Sequence, residues 1–257
     1  MRIPKRLLLL LALPVVCALA EGPPKVPTDA VVKPTFMSGY DSFSGGTAFV
    51  CEVPGHDGLL LLTAHHLFGS ACGLDHEYTW EEMPTAWPAV TGLSIDDPAR
   101  YVTSAAPLAI PGAHALDDKS YDKDLAAYRV PAENKLPSLR LATAQPKVHE
   151  TVFLYARQRG EAKLRFFRAT VFPSGNSEFM YLFDDSDINL AGTSGAPVLN
   201  ASGEVVAINI GGTKAADRLF GFGNSCLSIA KLLARAKPPQ GDKTPGPDSA
   251  SKVEEHP

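Results

Sequence analysis

Apolar and polar positions alternate in short blocks along the middle of the chain. Residues 47–53, 58–63, 125–130, 150–155, 164–171, 178–183, 197–200 and 204–210 are rich in β-branched, aromatic or aliphatic residues. Gly, Pro, Asn or Asp bounds each run, which is the pattern of strands separated by turns. Asn200-Ala201-Ser202-Gly203, between two apolar runs, predicts a hairpin turn. Helical spacing occurs only at residues 227–236, where Ile229, Leu232 and Leu233 share a face and basic residues gather near the end. Many short strands with one terminal helix predict an all-β sandwich or barrel. Residues 77–120 read as long loops around one or two strands, anchored by Trp80 and Trp87, and they are candidates for the wall of a cleft.

The two ends have a different pattern. Arg2, Lys5 and Arg6 precede an apolar run from Leu7 to Ala20 that closes on Ala18-Leu19-Ala20. This is the layout of a secretory signal peptide at residues 1–20, cleaved near Ala20. The run is shorter than the roughly 20 apolar residues of a membrane anchor. Cys17 raises lipid modification as an alternative, but bulky Val16 precedes it where such a site wants a small residue. The expected location is secreted or periplasmic, without a stable membrane anchor. Residues 21–34 read as an extended lead-in. Residues 237–257, almost without apolar side chains, read as a disordered tail.

Composition sharpens this picture in two places. Without the leader the chain has 21 basic and 28 acidic side chains, a formal charge of −7. A mildly acidic surface gives no electrostatic reason to expect nucleic acid. Export also leaves an odd set of cysteines, Cys51, Cys72 and Cys226, in a compartment that permits disulfides. One pair plus a buried thiol is the simplest account, with Cys51–Cys72 preferred because both flank the segment leading to His66. No two cysteines have chelating spacing and the histidines are scattered, so neither metal nor cofactor is expected.

Three patterns carry candidate chemistry. Leu62-Thr63-Ala64-His65-His66 closes a leucine-rich strand and would hold a base on a rigid element. Asp122-Lys123-Asp124-Leu125-Ala126 leads into another strand. Gly192-Thr193-Ser194-Gly195-Ala196-Pro197 sets a serine between glycines, where the backbone can present its hydroxyl beside peptide N–H groups. Alone, each has an ordinary structural explanation: a packed histidine, a turn aspartate, a glycine turn.

Together, in the order His, Asp, Ser, the three patterns resemble the trypsin-like serine peptidases of the bacterial secreted type. The resemblance covers roughly residues 45–226. It implies two packed antiparallel six-stranded β-barrels with a C-terminal helix, within a peptidase domain at 35–236. The first barrel would span about 35–134, the second about 136–225 and the helix 227–236. It implies a triad of His66, Asp124 and Ser194, with the oxyanion held by the N–H groups of Gly192 and Ser194. The stretch from Val205 to Gly211 resembles the strand that lines the substrate cleft, which makes Asn209 and Gly211 substrate-binding candidates. Counting six residues back from Ser194 puts Ile188 at the base of the specificity pocket. That argues against cleavage after Lys or Arg, although a slip of one residue would put Asp187 there.

The implied activity is that of a serine endopeptidase acting on a protein or peptide. The alternative is a protease-fold protein that binds a partner without cleaving it. Thr193 departs from the family where trypsins carry an Asp that pairs with a freed N-terminus, so activation by N-terminal insertion is not expected. No PDZ-like module is expected after the domain, unlike in full HtrA proteases. Subtilisins place Asp before His and follow the serine with a helix. The α/β-hydrolase elbow needs Gly where Ala196 stands.

Overall fold

In the computed structural model, which describes residues 22–39, 41–105, 107–117, 120–174 and 179–237, the apolar runs become strands. The N-terminal half holds β1 (Val31–Ser38), β2 (Asp41–Ser44), β3 (Ala48–Glu52), β4 (Leu59–Thr63), the single turn α1 (Met83–Ala86), β5 (Ala89–Ser94), β6 (Tyr101–Ser104), β7 (Ala126–Arg129) and β8 (Leu139–Arg140). The C-terminal half holds β9 (Thr151–Ala156), β10 (Arg165–Phe172), β11 (Phe179–Phe183), β12 (Pro197–Leu199), β13 (Val205–Ala215), β14 (Arg218–Ser225) and the helix α2 (Cys226–Leu233). The signal peptide expected at 1–20 lies outside the described residues, as does the tail expected at 237–257 apart from Lys237, which bridges to Ala109.

The two halves of this all-β fold close differently. The C-terminal strands form a closed barrel in the order β10-β11-β14-β13-β12-β9. The N-terminal sheet runs β6-β5-β1-β3-β4-β7, with β2 on β1 and β8 parallel to β3. Among the described residues it curls round without a strand ladder between its ends, a half-barrel where a closed six-stranded barrel was expected. Instead, the chain after β6 reaches β7 through the Pro107–Tyr128 bridge and the Leu108 N–H bonded to Ala127 C=O at 2.9 Å. β8 and its continuation tie the halves together: Cys51 faces Leu139 across β3 and β8, and Leu141 bridges to Val205. Leu139 and Arg140, expected within the second barrel, therefore belong to the first sheet.

Two further expectations shift. The lead-in ends before Val31, because residues 31–34 form the first half of β1. Pro34 hides this in the sequence. On one side β1 switches partner from β3, at Val31 and Val32, to β2, from Thr35 onward. Pro34 falls at that break in the ladder, where a residue without N–H is tolerated. The helix is capped by the Ser225 hydroxyl, which accepts from Ser228 N–H at 3.2 Å, and it stops at Leu233 rather than residue 236.

The cysteine pairing is corrected outright, since Cys51, Cys72 and Cys226 are all free thiols. Cys51 points from β3 into a core shared by both halves, whereas Cys72 packs against a separate N-terminal cluster around Phe36, Phe68 and Tyr128. Flanking one segment in sequence put them on opposite sides of the sheet. Burial raises the Cys72 thiol above its usual range and pushes Cys226 up to about 11.

Candidate active site

The histidine side of the site is built where β4 ends. Its last residues are buried, and after Ala64 the chain turns into a short 3-10 helix from His65 to Phe68. The backbone N–H of His66 donates to Asp124 Oδ1 at 2.9 Å, and His66 Nδ1 donates to Oδ2 at 2.7 Å. The Leu116 N–H adds a third bond to Oδ2 at 3.2 Å. Asp124 is 1% exposed, and these donors balance its buried charge. With Nδ1 bound to the carboxylate, Nε2 keeps its lone pair for an incoming proton. The adjacent His65 does something else. It is buried, its Nε2 donates to Tyr78 C=O at 2.8 Å, and desolvation lowers its pKa.

The serine side is a tight turn between the halves, fastened on both. Thr47 N–H, just before β3, donates to Ser194 C=O at 2.8 Å, and its hydroxyl donates to Gly192 C=O at 2.9 Å. Thr63 Oγ1 donates to Thr47 C=O at 2.7 Å, which ties this clamp to the strand that carries the histidine. Gly195 is obligatory at φ 85°, because a Cβ there would stand 2.1 Å from Thr47 C=O. From the second barrel, Gly195 N–H donates to Asn209 C=O and Asn209 N–H to Ala196 C=O, both at 2.8 Å. Among the described residues neither the Gly192 nor the Ser194 N–H donates a hydrogen bond, so both remain available to an acceptor.

Asn209 is corrected from a substrate contact to a strut. It is fully buried, and its Nδ2 donates to Thr193 C=O at 3.0 Å and to Thr193 Oγ1 at 2.9 Å. The Tyr181 hydroxyl donates to Asn209 Oδ1 at 2.6 Å, and Thr193 Oγ1 donates to Leu190 C=O at 2.7 Å. Burial raises the Tyr181 phenol well above its ordinary range, so it stays a donor. Thr193, where an aspartate was noted as missing, is thus held by a neutral chain of side chains.

His66 and Ser194 face one hollow of about 760 Å3, lined also by Gly192, Leu190 and residues 157–160. Their side chains make no direct hydrogen bond among the described contacts. A second hollow of about 650 Å3 opens on the other side of His66, under Trp80, Leu116 and Ile210. Ile188 lies in neither hollow. It is packed in the shared core at 8% exposure, because counting residues ignores how the loop folds over. Asp187 stands at the surface, 3.5 Å from Lys214 Nζ. Gly211 is half-buried at a bulge of β13 opposite Phe222, beside the Ile210 that lines the second hollow. The sequence carried no signal for Thr47 or Tyr181, and it placed Thr63 in the histidine pattern without showing its bond to Thr47 C=O.

The trypsin-like peptidase domain model matches residues 46–208, more than half of the chain. No curated protein sequence matches significantly. Among solved structures, the Rv3671c protease from M. tuberculosis in its active form is similar with a TM-score of 0.52 and 18% identity, over 81% of each chain. The serine endoprotease from Yersinia pestis gives 0.54 and 15% identity, over 81% of this chain and 62% of that one. The HtrA-type protease AlgW with tripeptide gives 0.52 and 15%, over 81% and 60%. The chain therefore spans under two thirds of the last two. At these identities the likeness is one of fold.

Proposed function

The chain belongs to the trypsin-like peptidase domain family, and from that membership we propose that it is an exported serine endopeptidase using His66, Asp124 and Ser194. The observation that carries the reading is the buried Asp124 bonded to His66 Nδ1 at 2.7 Å, with Ser194 on the opposite wall of the same cleft.

In this mechanism Ser194 Oγ attacks a peptide carbonyl carbon while its proton passes to His66 Nε2. Asp124 holds the imidazole and stabilises the imidazolium. The oxyanion forms toward the Gly192 and Ser194 N–H groups, each such donor being worth about 3–4 kcal/mol to the transition state. The C–N bond then breaks, and the leaving amine takes the proton from Nε2. Water attacks the acyl-enzyme, giving its proton to Nε2. The ester C–O bond breaks and Ser194 recovers its hydroxyl. In the unliganded cleft the Ser194–His66 bond is still to form, and substrate would draw it together. The leader at residues 1–20 supports action outside the cytoplasm.

Fluorophosphonate labelling of the mature protein tests the reading, beside Ser194→Ala and His66→Ala variants. The expected result is stoichiometric labelling of the unaltered protein and none in either variant, with turnover reduced on the order of a millionfold. A folded protein that stays unlabelled would instead favour a binding protein built on the peptidase fold.

A further inference from the structure

The two hollows that meet at His66 are opposite in charge. The one containing Ser194 is lined by Lys33, Arg157 and Arg159 and by no carboxylate. In a chain of net charge −4 this is a local reversal. None of the three cations is in an ion pair among the described residues. The other hollow carries Glu77 and Glu81 around an apolar floor that includes Trp80 and Ile210. Hydrogen bonds from the Ser70 side chain and from its N–H, the latter to Oε1 at 2.8 Å, lower the Glu77 pKa and fix this carboxylate in place.

The cations are placed by the fold. Arg159 N–H donates to Ala191 C=O at 3.0 Å, and Gln158 Nε2 donates to Asn189 C=O at 2.9 Å, which straps this loop to the serine turn. The Arg159 Cβ lies 3.8 Å from where a side chain on Gly192 would start. Lys33 comes from β1 in the other half, so both walls contribute positive charge.

We propose that the cleft selects its peptide by charge, taking acidic side chains into the Ser194 hollow and an apolar side chain with basic neighbours into the hollow under Trp80. This rests on the serine endopeptidase reading and adds a substrate class to it. A uniform polyanion such as a nucleic acid fits worse, because Glu77 and Glu81 repel its continuation past His66. Opposed charges along one cleft also fix the direction in which a peptide lies.

The test is fluorescence anisotropy on the Ser194→Ala protein, with short labelled peptides carrying Asp and Glu on one side of a central Leu-Phe and Lys on the other. In a counterpart peptide Lys replaces the acids. The acidic peptide should bind about tenfold more tightly, and the preference should shrink as salt is raised. Arg157→Gln with Arg159→Gln should abolish it, while Arg157→Lys with Arg159→Lys should keep it. Equal binding of the two peptides, a preference that survives the glutamine pair, or an oligonucleotide binding as tightly as the acidic peptide would each overturn the proposal. Failure of the catalytic reading stays distinguishable. An unlabelled protein that still prefers the acidic peptide keeps the charge selection and loses the enzyme. A labelled protein that cleaves both peptides equally does the reverse.

Discussion

The histidine wall and the serine wall of the cleft are held by different chemistry. On the first, a buried carboxylate gathers three donors, and every bond that orients His66 depends on the charge of Asp124. On the second, the turn carrying Ser194 is held by neutral groups: Thr47 from one half, and Thr193, Asn209 and Tyr181 from the other. A charged hub concentrates orientation in one residue, whereas a neutral network spreads it over several. Removing single hydrogen-bonding side chains should therefore silence the histidine wall at once and degrade the serine wall by degrees.

Among substitutions of the groups that support the two walls, Asp124→Asn should have the largest effect. The amide can accept on one atom only, so it would hold the imidazole in the wrong tautomer. Turnover is expected to fall about ten-thousandfold with the fold retained. A loss below about a hundredfold, read in steady-state kinetics beside circular dichroism, would break the idea that this wall has a single hub. Gly195→Ala comes next and attacks the other wall sterically. Its Cβ would lie 2.1 Å from Thr47 C=O and 2.4 Å from Thr63 Oγ1. A cost of about 4 kcal/mol is expected in urea unfolding, with labelling of Ser194 lost.

Asn209→Ala should cost about 3 kcal/mol, since it leaves the Tyr181 hydroxyl and the Thr193 carbonyl buried without their partner. Thr47→Val removes only the hydroxyl bond to Gly192 C=O, so about 1 kcal/mol is expected. Its sharper readout is the rate of fluorophosphonate labelling, because the 192–193 peptide then keeps the Thr193 N–H bond to Leu190 C=O at 3.1 Å but loses its hold on the other half. A slowed label with an almost unchanged midpoint would mark Thr47 as a positioning residue of the serine wall. A midpoint shift with an unchanged label rate would make it merely structural.

The same contrast explains what could be read from the sequence. The histidine, aspartate and serine patterns were legible because each is local: a strand end, a strand start and a glycine turn. The strands around them were also legible where both faces are covered, as in β3 and β4. β5 and β14 were not, because Gly92, Gly221 and Gly223 interrupt their apolar runs. Those glycines answer to neighbours far along the chain. A Cβ at Gly221 would meet the Tyr181 ring at 2.2 Å, and one at Gly92 would meet Val32 at 2.6 Å. Asn209 was misread for the same reason. It sits on the expected strand, but a buried threonine and tyrosine turn its side chain inward. Local chemistry is written in consecutive residues, and the supports of the serine wall are not.

The smallest expected effect sharpens the comparison by pH. His65 packs behind His66 on the charged wall, and burial, opposed in part by its bond to Tyr78 C=O, lowers its pKa from 6.5. In the unfolded chain the imidazole takes a proton as pH falls through 6.5, while in the folded protein it stays neutral to lower pH. The unfolded state then binds more protons, so stability falls with pH across that window. Glu77 and Glu82 act later, since their pKa values are lowered from 4.5 and their stabilisation is lost only on further acidification. The bonds among Thr193, Asn209 and Tyr181 contain nothing that titrates in either window. Mild acid should therefore loosen the histidine wall first. Protection of the Leu67 and Phe68 amides, relative to their intrinsic exchange rates, should fall between about pH 7 and pH 5, while Ala196 and Ile208 stay protected, and His65→Gln should flatten the change. Equal loosening of both walls, or a pH response that survives His65→Gln, would show that the two are not independently supported.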